Sequence, residues 1–398
     1  MKYISDVGSD KELIKDRFTQ KLPLVNIIVC GRFHYHKYIK LLCKHGSLNR
    51  FIYSYRRNFK LYIDKKFLEN FYAKEYLMYL GKKILPSRLF YSYLSYLHNL
   101  WQAQVLTIKP GGNIAHFLLH GNCDKIMKVY KKAGIKIVGE AVNVHPVIQN
   151  ELLQNEYQKY GCVYESGEKY SEKKIINEYN LCDYFLAPSI FIKNSLIAQG
   201  IDSTKIKVIP YGLNKPRGLI KDNTVIKKGS KIKLLFVGQL TFRKGVIYLC
   251  EAFDLLKEDG YNCELTLVGK IDPFYHKIIY HYLKKDQVIH ISHIDNSEIE
   301  KVMIEHDLLV MPSIEDGFGI VVSEALSIHL PVIVTSNCGA SEIVTNGEDG
   351  FIVEPFFASA IANAIIKSVE YNFMFSNAVF TWDDYVNRLD KFYASILN

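Results

Sequence analysis

No apolar run in this chain approaches the ~18 residues that a membrane-spanning helix needs, so no such helix is expected. The opening residues, Met1-Lys2-Tyr3-Ile4-Ser5-Asp6-Val7-Gly8, lack an apolar core, and a secretory leader is not expected. The eight cysteines form no C-x-x-C pair and have no zinc-like spacing. Cys30, Cys43, Cys162, Cys182, Cys250 and Cys263 lie beside apolar residues and read as small core hydrophobes. Reduced thiols in a cytoplasmic protein are the simplest expectation. Asp, Asn and His nowhere cluster at metal spacing, so no metal and no other cofactor is expected. Internal repeats and low-complexity tracts are missing too.

What is present fits two domains. The chain has 398 residues, 48% apolar and 23% charged, an ordinary globular composition too long for one core. Its net charge of +9 is uneven. Residues 1–110 hold 20 Lys or Arg against 7 Asp or Glu, a balance of +13, which leaves −4 for the remainder. Aromatics accompany that basic part: Phe67, Phe71, Tyr72, Tyr76, Tyr79, Phe90, Tyr91, Tyr93, Tyr96 and Trp101, with Lys65, Lys66, Lys74, Lys82, Lys83 and Arg88 between them. A basic surface with Tyr and Trp suits an anionic membrane leaflet. Two core helices with lysines facing water are the alternative, and both readings stay open. No nucleic-acid module accompanies the patch, so a nucleic-acid partner is not expected.

Short apolar runs alternate with helical stretches, which predicts an α/β protein with parallel sheets covered on both faces. The expected strands are Val25–Cys30, Ile114–Leu118, Lys136–Val138, Tyr184–Ala187 and Lys207–Ile209, then Lys233–Val237, Glu264–Val268, Val288–Ile291, Leu308–Met311 and Val332–Thr335. Residues 214–230 have linker composition. The expected division is therefore 1–213, a linker at 214–230, a second domain at 231–375, and a C-terminal helix within 376–398 that returns to the first domain. Thr381 or Asp383 is available as that helix's N-cap.

Residues 312–326, Pro-Ser-Ile-Glu-Asp-Gly-Phe-Gly-Ile-Val-Val-Ser-Glu-Ala-Leu, are the most informative segment. The apolar run Leu308–Met311 stops at Pro312, glycines follow, and an apolar-periodic stretch begins at Val321. Strand, glycine-bearing loop and helix together aim free backbone N–H groups at an anion. Asp316 and Glu324 flank that arrangement, seven residues between them. This pattern resembles the acid, seven residues, Glu signature of retaining glycosyltransferases of the GT-B fold, in their large fourth family (glycosyl transferases group 1). Most members carry Glu where this chain has Asp316 preceded by Glu315. Further segments are similar in order and spacing: Cys182–Ser189, Ile206–Gly212, Val237-Gly238-Gln239-Leu240 with Arg243-Lys244-Gly245, Gly339–Val344 and Asn346–Gly350. The resemblance covers roughly residues 180–355 and is poor over the first 110, where the acceptor is expected to be read.

The resemblance implies two doubly wound Rossmann-like domains whose parallel sheets face each other across a cleft. It implies a nucleotide-diphosphate sugar as donor. Lys244 and Arg243 are the expected cations for the leaving diphosphate, whose stabilisation is normally the largest catalytic term. The family usually has Arg five residues before this Lys, and here that position is Gln239. Either Arg243 supplies the charge, or backbone and Lys244 hold the diphosphate. Glu324 is expected on two ribose hydroxyls. Asp316 is expected on donor-sugar hydroxyls, with Gly238, Gly317, Phe318, Gly319, Ile320 and Val321 bringing backbone close to the ligand. Glu315 reads as a solvent-facing neighbour, with replacement of Asp316 as the alternative.

In the first half, Glu140-Ala141-Val142-Asn143-Val144-His145-Pro146 follows an expected strand, where such folds place ligands. His145 matches by position the histidine that the family aims at the donor sugar, and a neutral imidazole there suits a sugar hydroxyl. His116 and His120 are weaker candidates. Gly31-Arg32 stands where the family has a glycine-rich loop, and Arg32 is a candidate for the diphosphate.

The expected function is retaining transfer from a nucleotide-diphosphate sugar to a glycan or lipid-linked acceptor, in cell-envelope polysaccharide or glycolipid synthesis. The expected place is the cytoplasm, with peripheral contact at the inner face of the membrane. No carboxylate is placed as a covalent nucleophile, so same-face attack is the more economical mechanism. A GT-B nucleotide-sugar epimerase and a non-catalytic nucleotide-sugar-binding protein are the alternatives.

Overall fold

The structure, a computed structural model, describes residues 23–31, 33–55, 62–164, 167–214, 218–221, 225–376 and 379–398. The first sheet contains β1 (Val25–Val29), β2 (Leu48–Tyr53), β3 (Leu68–Asn70), β4 (Ile114–Leu118), β5 (Lys136–Glu140), β6 (Tyr184–Ala187) and β7 (Ile206–Val208). Their order is β3-β2-β1-β4-β5-β6-β7. The second contains β8 (Ile232–Val237), β9 (Cys263–Val268), β10 (Val288–Ile291), β11 (Leu308–Met311), β12 (Val332–Thr335) and β13 (Gly350–Val353), in the order β10-β9-β8-β11-β12-β13. Every neighbouring pair of this second sheet is parallel.

Both orders start at a central strand, step outward twice, and resume on its other side. That is the doubly wound pattern, and its ligand crevice lies beyond the carboxyl ends of the strands where the order reverses. In the second sheet the reversal falls between β8 and β11. Chain contacts divide the protein into two compact units, one of residues up to Phe117 with Asn122–Val138 and Val386–Asn398, the other of Leu118–Gly121 with Gly139–Tyr385.

The strands are nearly continuous apolar runs because helices cover both faces. In β8, Leu234, Leu235 and Phe236 are fully buried, as are Leu308, Leu309 and Val310 in β11. β1 is buried throughout, including Asn26. The Asn26 amide is satisfied there, donating to the carbonyls of Gly111 (2.6 Å) and Ile114 (3.1 Å) and accepting from Asn49 Nδ2 (2.8 Å). The C-terminal helix Trp382–Ser395 opens on Thr381. Thr381 Oγ1 accepts from Asp384 N (3.3 Å) and Asp384 Oδ2 accepts from Thr381 N (2.9 Å), a reciprocal cap.

The basic aromatic segment forms the helices Ala73–Ile84 and Ser87–Val105. Trp101 is wholly buried, whereas Tyr72, Tyr76, Tyr79 and Tyr96 are 46–58% exposed. Lys74 does not belong to the basic surface, because it is buried and paired with Glu75 (2.5 Å). Among the described residues no helix is long and apolar enough to cross a membrane.

Candidate active site

The chain leaves β8 at Val237 and makes a tight turn. Thr241 caps the short 3-10 helix Phe242–Lys244, its hydroxyl accepting from Lys244 N (3.4 Å). Gly245 follows with φ +59°, and a Cβ there would stand 2.1 Å from the carbonyl oxygen of Pro312. Only glycine allows that approach. The turn is thus pressed onto the loop leaving β11, and the Arg243 carbonyl accepts from Ile314 N (3.0 Å) and Glu315 N (3.2 Å).

This backbone clasp aligns two consecutive cations with two consecutive acids. Lys244 Nζ donates to Asp316 Oδ2. Arg243 Nη1 donates to Glu315 Oε2 (3.3 Å) and to the Glu315 carbonyl (3.1 Å), and stands 4.0 Å from Asp316 Oδ1. Asp316 is 8% exposed. Burial alone would raise its pKa. The Lys244 and Arg243 charges, with hydrogen bonds from Lys244 and from the Phe318 backbone N–H, outweigh that and hold the carboxyl below its ordinary range. Asp316 is therefore ionised at neutral pH.

Glu315 is not solvent-facing. Its side chain is wholly buried and accepts from Val144 N (3.2 Å) and Gln149 Nε2 (2.8 Å) as well as from Arg243. Burying a carboxylate is tolerable only with such partners. Glu315 thereby ties the Arg243 turn to the loop that carries His145.

Gly317 has a reason that its sequence context did not reveal. A Cβ there would meet the Val142 carbonyl oxygen at 1.8 Å, so glycine is needed for contact with the chain's own backbone. Ser189 Oγ donates to the Gly317 carbonyl (2.8 Å). Gly319 has φ +75° and heads the short helix Ile320–Leu326. The Phe318 N–H serves Asp316, and its ring meets Tyr211 edge-on at 5.4 Å. Val321 packs into the core, whereas Ile320 and Glu324 are half-buried.

His145 caps the helix Pro146–Lys159, its Nδ1 accepting from Val147 N (3.4 Å) while its backbone N–H donates to Ser195 Oγ (2.9 Å). In that tautomer Nε2 carries the hydrogen and is a donor. Burial pulls the imidazole pKa down to about 4, so the ring is neutral. His116 is buried in β4 with Nδ1 on the Tyr393 hydroxyl (2.6 Å), a packing role. His120 is half-buried, and burial lowers its pKa.

Gly238 and Gln239 stand at the carboxyl end of β8, the Gln239 side chain exposed. The Gly238 carbonyl lies 1.8 Å from where a Cβ of Gly269 would sit, so Gly269 is a further required glycine. Arg32 lies outside the described residues. Glu342 was not a sequence candidate beyond its place in Gly339–Val344. It accepts from Ile190 N and Phe191 N (2.8 Å each), capping the helix Ile190–Ala198. Among the described residues no three or more His, Cys, Asp or Glu side chains are grouped to hold a metal.

Residues 220–374 match the model described as glycosyl transferases group 1. An uncharacterized glycosyltransferase of Methanocaldococcus jannaschii is 27% identical over 206 residues, 51% of this chain and 51% of that protein. The capsular polysaccharide biosynthesis glycosyltransferase CapM of Staphylococcus aureus is 32% identical over 154 residues, 38% of each chain. The chain thus spans about half the length, or less, of these curated relatives. Among solved structures, sucrose-phosphate synthase of Thermosynechococcus elongatus superposes with a TM-score of 0.65 at 16% identity, covering 94% of this chain and 99% of that one. Anabaena HepE in complex with UDP and glucose gives 0.60 at 15% identity, covering 94% and 100%. At those identities the likeness is one of fold.

Proposed function

We propose, from the match of residues 220–374 to the glycosyl transferases group 1 and the likeness of fold to GT-B structures, that the chain transfers a sugar, with retention, from a nucleotide-diphosphate sugar to a glycan or lipid-linked acceptor. Polysaccharide synthesis is the process we favour. CapM and the amylovoran biosynthesis glycosyltransferase AmsK of Erwinia amylovora, among the relatives, support it. The HepE complexes with UDP and UDP-glucose support the donor class.

The observation that carries the reading is the quartet Arg243, Lys244, Glu315 and Asp316 at the switch point between β8 and β11. Lys244 is the cation for the developing diphosphate charge, preorganised by the Thr241 cap and the Gly245 contact rather than recruited during reaction. Asp316, kept ionised by its neighbours, receives sugar hydroxyls. Glu324, in the helix Ile320–Leu326 that follows this loop, receives the ribose hydroxyls. His145 offers Nε2–H to the sugar as a neutral donor. Arg243, engaged by Glu315, positions the loop more than it replaces a diphosphate arginine, and Gln239 leaves the diphosphate chiefly to Lys244 and backbone. With Asp316 bound to Lys244, same-face attack, the leaving phosphate taking the acceptor proton, suits the site better than a carboxylate nucleophile. The exposed tyrosines and lysines of residues 72–96 suit contact with an anionic leaflet.

The test is release of nucleoside diphosphate from a panel of donors, with and without glycan or lipid extract. Acceptor-dependent release, with the donor's anomeric configuration kept in the product by NMR, is the expected result. Conversion of donor alone would favour an epimerase, and no turnover with intact binding would favour a non-catalytic binder.

A further inference from the structure

A cavity of about 340 Å³ opens between the helices Ala73–Ile84 and Ser87–Val105, and no residue of the proposed donor site lines it. The two helices meet near their connecting turn. A Cβ at Gly81 would collide with the Tyr93 ring, and the Tyr93 hydroxyl donates to the Leu77 carbonyl (3.2 Å). The space lies toward their other ends, at Ala73 and Ala103. Leu97 and Trp101 line it as buried residues, while Leu77 and Leu100 are 37% and 39% exposed.

Its polar neighbours are engaged with the protein itself. Lys74 is paired with Glu75 (2.5 Å), and the Thr107 hydroxyl donates to the Gln104 carbonyl (2.7 Å). Apolar contact therefore selects the occupant. The volume falls within the ~300–1,000 Å³ common for small-molecule sites. A dry apolar cavity of ~150 Å³ takes benzene, so this one has room for roughly a dozen carbons.

Two observations choose among apolar molecules. The first is place. The start of the helix Ala73–Ile84 is fixed to the carboxyl ends of β1 and β2: Phe71 N donates to the Tyr53 carbonyl (2.9 Å), and Ser54 Oγ accepts from Gly31 N (2.8 Å) and donates to Glu75 Oε1 (2.7 Å). The order of the first sheet reverses between β1 and β4, so the cavity borders the end of the sheet where such folds bind ligands. The second is charge. Residues 73–105 hold four Lys or Arg against Glu75 alone, which favours an anion at this surface.

We propose that this cavity seats the hydrocarbon chain of a lipid-linked acceptor whose head group is anionic. The inference rests on the transferase reading and narrows its acceptor to the lipid-linked class.

Calorimetry with the full chain and octyl or dodecyl phosphate, below their micelle-forming concentrations, tests it. A buried methylene is worth about fourfold in affinity. Dodecyl phosphate is expected to bind once per chain, at least tenfold more tightly than octyl phosphate and more tightly than dodecyl maltoside. Ala103→Phe and Ala73→Phe fill the cavity from exposed positions on its two helices, and each should weaken binding tenfold or more. Ile84→Ser, 75% exposed on the same helix pair but outside the lining, should leave it unchanged, as should Lys244→Ala. No binding, equal affinity for the two chain lengths, or parent-like affinity in both filled variants overturns the proposal. So does a loss in Ile84→Ser as large as in the filled variants, or a dimer that Ala103→Phe abolishes, which would assign the cavity to a second copy. Chain binding without sugar transfer would keep the site and sink the transferase reading. Transfer to a lipid-free glycan without alkyl phosphate binding would do the reverse.

Discussion

Lys244 donates from Nζ to Oδ2 of Asp316, a residue 72 positions along the chain. The preceding pair, Arg243 and Glu315, has the same separation and the same complementarity. The proposed diphosphate cation and the proposed sugar-binding acid thus satisfy each other. A donor entering this site must share or displace that contact.

Glu315 predicts a stability effect. Glu315→Ala leaves the Val144 N–H, Gln149 and Arg243 without their buried acceptor, and should cost about 3 kcal/mol. Glu315→Gln should cost less, since an amide oxygen still accepts from the Val144 N–H. Urea unfolding of both variants checks this, and parent-like stability in the alanine variant would remove the structural role.

Glu324 predicts a binding effect. Because its proposed contact is to ribose, Glu324→Gln should weaken donor and bare nucleoside diphosphate together, by roughly tenfold or about 1.4 kcal/mol. Calorimetry with the nucleotide alone decides, and equal affinity would make this acid structural.

For His145 the prediction concerns pH. Its folded pKa of about 4 lies below the ordinary 6.5. Between those values the unfolded chain binds a proton that the folded chain does not. The His145 contribution is therefore fully present above pH 6.5 and declines as pH falls toward 4. NMR should show the His145 ring unchanged from pH 8 to pH 5.5. A midpoint near 6.5 would mean the ring is solvated.

Much of the architecture was legible, because buried parallel strands are apolar throughout. Ile114–Leu118, Tyr184–Ala187, Val288–Ile291, Leu308–Met311 and Val332–Thr335 form as expected, to the residue. Strand β2 was not announced, because Asn49 and Arg50 interrupt its apolar run, and β3 is only three residues long. In the site, Lys244, Arg243 and Asp316 could each be named from local pattern. Their pairing could not, since it depends on Gly245 meeting Pro312. Glu315 was misjudged for the same reason: its partners Val144 and Gln149 lie more than 160 residues away. Gly317 was legible as a glycine, but the Val142 carbonyl that requires it is a tertiary contact. The aromatic segment divides, with Tyr72, Tyr76, Tyr79 and Tyr96 outward and Trp101 in the core, a split that its sequence spacing did not announce.

That segment predicts salt-sensitive binding to vesicles containing anionic lipid. Exposed charges are screened over roughly 8–10 Å at physiological ionic strength, so sedimentation with vesicles should weaken between low and high salt. A protein that stays in the supernatant at low salt would remove the membrane from the account.

The most direct test of the central claim is nucleoside diphosphate affinity in Asp316→Asn. If Asp316 and the diphosphate compete for Lys244, the neutral side chain should let the nucleoside diphosphate bind about tenfold more tightly. Sugar transfer in the same variant should fall by ~10²-fold or more, because a contact to the reacting sugar is lost. Binding and turnover moving in opposite directions is the predicted result. Nucleoside diphosphate affinity unchanged or weakened in Asp316→Asn would contradict it and place the diphosphate away from Lys244.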